Sequence, residues 1–277
     1  MSSVLERAFS ILDLLVRTPD GLSVGDIANA LGQPPSGTHR MLGELCRLGY
    51  VRQQRAQGDY QLTIKLASMG LTFLGQTGII DVAQPILDSL ATNSRELVRM
   101  AVFDGTNLTW VGVSQGATSP LRYDPSREQG VVVHLASSAG GQAWLSAMED
   151  QAVMEAVGRQ GLIRETAPGL KPPTTIADLM DVLAATRERG YSMNRDSYMV
   201  GMAAMATVIR DGSTNRPIGT VSIAGPSVRM TEAHMTELAA PLLQAARDLA
   251  QASGASGYFS GAARADVQSD MQDHPTP

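Results

Sequence analysis

What this chain lacks narrows its class first. A single cysteine, Cys46, stands in 277 residues, so no intramolecular disulfide can form and a reducing compartment is the natural setting. Aromatic residues make up only 4% of the chain, which leaves aliphatic side chains to build the core. No uncharged apolar run reaches the roughly 18 residues that a membrane-spanning helix needs. The first residues, Met1 to Arg7, show no basic start, apolar run and small-residue cleavage site, so no signal peptide is expected. The expected location is the cytoplasm, with no membrane partner. The four histidines, His39, His134, His234 and His274, are far apart, with no cysteine or acid at metal-ligand spacing. No phosphate-cradling glycine loop occurs either. Neither a metal nor a cofactor is expected.

What is present suits a folded chain. Hydrophobic residues are 43% and charged residues 18%, a mix that buries a real core. Length divided by about 150 suggests two domains. The net charge of −5 argues against nucleic acid as a partner, but the charge is uneven. Residues 1–65 hold seven bases and six acids, whereas the remainder holds 15 bases and 21 acids. Within 31–65 five bases face two acids, so an acidic chain contains one basic stretch suited to an anionic partner.

Apolar side chains recur at helical spacing from Val4 to Leu15, with Ser2 or Ser3 placed to cap the start. Pro19, Asp20 and Gly21 break the chain. Ser23 and Asp26 then form a capping box opening a short helix through Leu31. A third helix runs from about Pro35 to Leu48, with Met41, Leu42, Leu45, Cys46 and Leu48 on its buried face and Gly49 as its stop. Two alternating stretches, 50–54 and 59–62, flank Ala56, Gln57 and Gly58 as a hairpin. Helices follow at 63–75 and 79–93. Beyond residue 96 the pattern is strands at 97–103, 108–114, 191–194, 202–209 and 218–224. Helices fall at 138–148, 150–159, 176–189 and 231–252. This is an α+β chain with a largely antiparallel sheet in its second part.

The start of the third helix carries the clearest chemistry. Ser36, Gly37 and Thr38 are small enough to let its N-terminal amides approach phosphate oxygens. His39 and Arg40 add longer donors, Arg being able to pair with a guanine edge. A short helix, a tight turn and this helix make helix-turn-helix geometry, and the hairpin would be a wing carrying Arg52 and Arg55. The alternative is a plain three-helix bundle with a polar exposed helix. A second motif, Gly112 to Gly116, spells G-x-S-x-G, with Asp124 and His134 following in the order of a serine hydrolase. A nucleophile elbow needs a helix directly after Ser114, however, and an extended stretch follows.

The chain resembles the IclR-type bacterial transcriptional regulators from its start to about residue 250. The resemblance rests on Leu5 to Ala8 with Ile11 and Leu12, the Pro35 to Leu42 run, Leu48 to Val51 and the Tyr60 to Leu62 wing end. Gly141 to Ala143, Arg187 to Tyr191, Gly201 and Ser222 to Pro226 carry it in the second part. It implies a winged helix-turn-helix over 1–65, a linker helix over 66–78 and a GAF-like effector-binding domain over 79–252. A disordered tail over 253–277 is read from its composition. The implied function is a ligand-responsive regulator, a repressor of a catabolic operon, with an activator of the same architecture or a hydrolase using Ser114 as alternatives. Its partners would be double-stranded operator DNA, a small effector such as an aromatic or aliphatic carboxylate, and further copies of itself as homodimer or tetramer.

By the same resemblance the DNA contacts are Ser36, Thr38, His39, Arg40, Arg52 and Arg55. Pro35 and Gly37 depart from the Lys and the hydroxyl residue frequent in the family. The effector positions are Ala139, Gly140, Gly141, Asn194, Ala204, Ser222 and Ala224. Asn194, Ala204 and Ala224 stand where members that bind small keto acids carry Asp, Cys and Ser, which makes the pocket less polar. Met100, Met193, Met202 and Met205 lie on or near the same strands, where flexible thioethers suit a larger or more apolar ligand, and the first three are added to the candidate positions. Their alternative is plain core. Arg99 and Arg122 are candidates for a ligand carboxylate, with surface positions as the alternative.

Overall fold

The computed structural model describes residues 3–55, 58–125, 128–164, 167–254 and 256, which fall into two compact units, 1–76 and 77–277. The first unit opens with α1 (Val4–Val16), α2 (Val24–Leu31) and α3 (Pro35–Arg47), continues through β1 (Val51–Gln53) and β2 (Tyr60–Leu62), and carries most of α4 (Lys65–Thr77). Ser3 caps α1 in a full capping box with Glu6. At α2, Ser23 accepts the Asp26 amide but donates its hydroxyl to the Asp26 carboxylate, so only half of the expected box forms.

Gly32 at φ 59° ends α2, a left-handed cap that costs glycine nothing. Pro35 starts α3 at a position where its missing N–H is not needed. Ile11, Leu12, Leu15, Ile27, Met41, Leu42, Leu45, Val51 and Tyr60 form one core. Cys46 packs at its edge, but Leu48 is 45% exposed, contrary to the expected buried face. As the C-cap of α3 it already lies beyond the helical stripe. The hairpin pairs Val51 with Leu62 through Gln53 with Tyr60, and Leu22 bridges to Tyr60 beside it. Ala56 and Gln57 of the expected turn lie outside the described residues.

The second unit is built on α5 (Ile79–Ser94), β3 (Leu97–Phe103), β4 (Leu108–Gln115), α6 (Ala139–Ser146), α7 (Asp150–Gln160), α8 (Ile176–Arg189), β5 (Ser192–Arg195), β6 (Met202–Arg210), β7 (Pro217–Pro226), α9 (Glu232–Glu237) and α10 (Ala239–Ser253). The five strands lie in the order β4-β3-β7-β6-β5, and every pair is antiparallel. Helices α5 and α10 cover one face of the sheet, while α6, backed by α8, covers the other.

Strand alternation sorts the side chains. Val98, Met100, Met205, Val221 and Ile223 enter the large core with α5 and α10, whereas Ala204, Ala206 and Val208 turn toward α6. The single helix expected over 231–252 is two, broken at Leu238. Pro241 has no amide to give the Glu237 carbonyl, so the ladder restarts with Pro241 in a first turn. The expected boundary at 252 falls short, because Ser253 is buried in α10 and Ser256 donates to the Thr77 carbonyl at 2.7 Å. The rest of the expected disordered tail lies outside the described residues.

Candidate nucleic-acid interface and ligand pocket

Two sites stand out, one in each unit. In the first, core contacts fix one side of α3 and leave the other side to solvent. Met41, Leu42 and Leu45 are buried, while Ser36, His39, Arg40 and Arg47 are exposed. Pro34 gives the helix no side-chain cap, so the first-turn amides are directed at whatever anion approaches. Glu44, the one acid on this helix, is ion-paired at 2.9 Å with Arg47, which lessens its repulsion of an anionic partner. Arg52 and Arg55 are both exposed on the wing, with Arg52 held by Gln61 at 3.3 Å. Lys65 is taken up structurally, donating to the Leu48 carbonyl at 2.7 Å and lying over the Tyr50 ring.

In the second unit a pocket opens between the α6 face of the sheet and the N-terminus of α6. Its lining includes Arg99 and Trp110 on the sheet, Ser138, Ala139 and Gly140 at the helix start, and Asn194, Ala204, Ser222 and Ala224 on the neighbouring strands. Tyr123, from the β4–α6 connection, and Tyr198 with Met199, from the β5–β6 connection, complete it. Ser138 caps α6 through the Gly141 amide at 3.0 Å. The Asn194 amide donates to the Ser137 carbonyl at 3.2 Å, which fixes its place on the rim.

Arg99 dominates the electrostatics. Its guanidinium lies 4.0 Å over the Trp110 ring and is ion-paired with Glu128. Burial, and then the Glu128 carboxylate, raise the ionisation of both tyrosines, Tyr198 to about 12 and Tyr123 further. Both phenols therefore stay protonated donors at neutral pH. The arrangement provides one cation, two phenol donors and apolar walls, a set that recognises a carboxylate attached to an apolar body.

Family comparisons decide between a bare architecture and a known kind of protein. Residues 71–251 match the model described as "Bacterial transcriptional regulator IclR C-terminal", and residues 4–55 match the "IclR helix-turn-helix domain". The chain belongs to the IclR family of bacterial transcriptional regulators. This IclR-family protein is 30% identical over 250 residues to the acetate operon repressor of Salmonella typhimurium, covering 90% of this chain and 89% of that one. It is 29% identical to the transcriptional repressor IclR of Escherichia coli K12, with the same coverage. Among solved structures, an IclR transcriptional regulator from Alicyclobacillus acidocaldarius superposes with a TM-score of 0.75 at 17% identity, covering 91% of this chain and 99% of that one. An IclR homologue from Microbacterium hydrocarbonoxydans, complexed with 4-hydroxybenzoate, gives 0.71 at 20% identity, covering 92% and 100%.

The structure sorts the residues that sequence reasoning proposed for this regulator. Ser36, His39, Arg40, Arg52 and Arg55 are exposed in the helix-turn-helix unit, but Thr38 is fully buried and donates to the Pro34 carbonyl at 3.2 Å. Two residues past Ser36, helical rotation turns it into the core. In the pocket, Ala139, Gly140, Asn194, Met202, Ala204, Ser222 and Ala224 come together. Met100 and Met193 do not, because the strands send them to the opposite face, into the core under α5 and α10. Gly141 is absent from the lining as well. It presses against the backbone of His134 and Leu135, where any Cβ would overlap.

Arg122 is exposed and outside the pocket. Trp110, Tyr123 and Tyr198 were not anticipated, since two come from connections whose course no periodicity reveals. Parity along β3 was a usable signal for Arg99, which must oppose Met100.

The hydrolase alternative fails on geometry. Ser114 lies inside β4, paired with Val98, and donates to Asp88 at 2.6 Å. His134 pairs instead with the Ser137 hydroxyl at 2.8 Å. Gly112 and Gly116 of the motif have packing reasons, since a Cβ on either would run into α5, at Leu87 and Ala91 respectively. The family models and the named relatives are those of transcriptional regulators.

Proposed function

We propose that this regulator is an effector-controlled repressor whose operator contacts are made by Ser36, His39 and Arg40 of α3 and by Arg52 and Arg55 of the wing. The observation that carries this reading is the exposed, uncapped start of α3, followed by two donors and held from behind by a continuous core. Repression as the sign of control is the reading supported by the relatives, the acetate operon repressor of Salmonella and the transcriptional repressor IclR of Escherichia coli. The working boundaries are a DNA-binding head over 1–65, a linker helix over 66–78 and an effector domain from 79 to at least the end of α10 at Ser253, acting in the cytoplasm. Val4, Leu5 and Phe9 on α1 and Met69 and Leu71 on α4 are exposed apolar side chains. Such surface favours self-association, and a dimer would present two recognition helices about one DNA turn apart.

The effector reading is a small organic acid bound at Arg99 between the sheet and α6. The complex of the Microbacterium homologue with 4-hydroxybenzoate supports an aromatic acid. The direct test is fluorescence anisotropy with the DNA upstream of the protein's own gene. Specific binding should exceed that to a random duplex and weaken steeply between about 50 and 200 mM salt. Equal affinity for both duplexes would rule out an operator-binding repressor.

A further inference from the structure

The effector pocket has little room for an effector. With its side chains as they stand, the cavity volume open to water-sized spheres is about 30 Å³, room for about two water molecules and not for an acid of several heavy atoms. Something must leave before a ligand enters. Ala139, Gly140, Ala204 and Ala224 carry at most a methyl group, which has no rotamer to withdraw into, and Trp110 is locked in the core beside Val133 and Trp144. Asn194 is tied to the Ser137 carbonyl.

Glu128 is different. It comes from the connection between β4 and α6 and, without lining the pocket itself, reaches the Arg99 guanidinium that does. Its carboxylate is ion-paired with Arg99 and only 13% exposed, and its charge helps keep the neighbouring Tyr123 and Tyr198 phenols protonated. All three are groups that would serve an incoming acid. The Arg99 Nε remains buried without a hydrogen-bond partner, so Glu128 leaves one donor of the guanidinium unused.

The connection has other attachments that do not depend on this carboxylate. Arg229, itself paired with Glu96, donates to the Leu121 carbonyl at 2.9 Å, and Gln115 donates to that of Tyr123 at 2.8 Å. The amides of Trp110 and Gly130 bond to Val131 and Trp110 across β4. Releasing the Glu128 side chain would therefore leave the backbone around it anchored at both sides.

We propose that Glu128 is a built-in occupant of the effector's carboxylate site, and that an organic acid binds by displacing its side chain from Arg99, the guanidinium that lines the pocket with Tyr123 and Tyr198. This rests on the reading of the pocket as an acid-binding effector site. The exchange is electrically balanced, because one carboxylate replaces another beside the same guanidinium while Glu128 regains its hydration. The avoided cost of an unpaired buried cation explains why the empty site keeps an internal partner. The internal carboxylate also sets a threshold, since the site is competent only in the fraction of molecules where Glu128 has left, and apparent affinity falls by that fraction.

The test uses the full chain with Glu128 intact, as Glu128→Ala and as Glu128→Gln. Acetate, benzoate and the neutral benzamide are titrated, with calorimetry and tryptophan fluorescence as readouts. Glu128→Ala should bind both carboxylates at least about tenfold more tightly than the parent, with no comparable gain for benzamide. Glu128→Gln keeps the side chain's size, removes its charge and guards against a folding defect in the alanine variant. It should gain in the same direction.

Equal carboxylate affinity in folded Glu128 variants and parent, a gain for benzamide as large as for benzoate, or no carboxylate uptake by the variants at millimolar concentration would each overturn the proposal. Operator affinity measured in the same samples separates the two ideas. Acids that bind the variants more tightly yet leave DNA binding unchanged would support the displaced carboxylate and refute the effector reading. Acids that release DNA with equal potency from parent and variants would do the reverse.

Discussion

Arg40 and Thr38 are two positions apart on one helix and have opposite fates. Arg40 is exposed and Thr38 fully buried, so substitutions at the two should separate affinity from stability. Arg40→Ala should leave the unfolding midpoint nearly unchanged and cost about 1–3 kcal/mol of operator binding, measured by anisotropy against the upstream DNA. Thr38→Val keeps shape and loses the hydrogen bond to Pro34, so it should cost about 1 kcal/mol of stability in a denaturant titration and leave operator affinity alone. The exposure of Arg40 was legible from residue type and position near a helix start. Thr38 was misread because its polarity suggested a contact that its helical phase forbids. The same distinction separates Met202, which lines the pocket, from Met100 and Met193, which fill the core.

Elements in this protein are held by features of a few residues at their ends. The start of α6 sits so close to His134 and Leu135 that only glycine fits at position 141. Gly141→Ala should overpack this junction, lowering stability by about 1–3 kcal/mol in chemical denaturation and weakening ligand binding, because Ala139 and Gly140 line the pocket. The turn between β6 and β7 is organised by Asp211, which accepts from the amides and hydroxyls of Ser213 and Thr214. The Ser213 hydroxyl and the Thr214 amide are the main reasons why its carboxyl ionises at about 2 rather than 3.8.

A depressed folded-state value means stabilisation above the unfolded value that is lost as pH falls. Asp211→Ala should therefore destabilise at neutral pH, and its deficit relative to the parent should shrink between pH 3.8 and about 2. Unfolding titrations across that interval would show it. The serine caps of α1 and α2 and most helix limits were readable from local sequence, though the box expected at α2 is only half formed. The break at Leu238 was missed because the apolar period continues through it, although Pro241 marks where the backbone ladder restarts.

At the scale of the whole molecule, the acidic total conceals two unlike parts. The basic stretch lies in the unit that carries α3 and the wing, and the family models divide along the same lines, over 4–55 and 71–251. Among the described residues no single helix is long and apolar enough to cross a membrane. Each unit has its own core, so each should fold as a separate fragment. A fragment of residues 77–256 is expected to bind carboxylates as the full chain does while showing no operator preference, and calorimetry beside anisotropy would check both. Loss of carboxylate binding in a folded fragment would show that the pocket depends on the head.

The sequence by itself determined most of the elements, the helix-turn-helix start followed by an α+β unit with an antiparallel sheet, and the family. Helix period, caps and turn residues are local properties that neighbouring residues impose on one another. Tertiary structure alone decided which side chains meet. The pocket is assembled from β3, β4, β5, β6, β7, the start of α6 and two connections, and its charge balance depends on Glu128 reaching Arg99 from 29 residues away. Residues so far apart are brought together by strand order and by the faces their parity selects, and no local pattern encodes either.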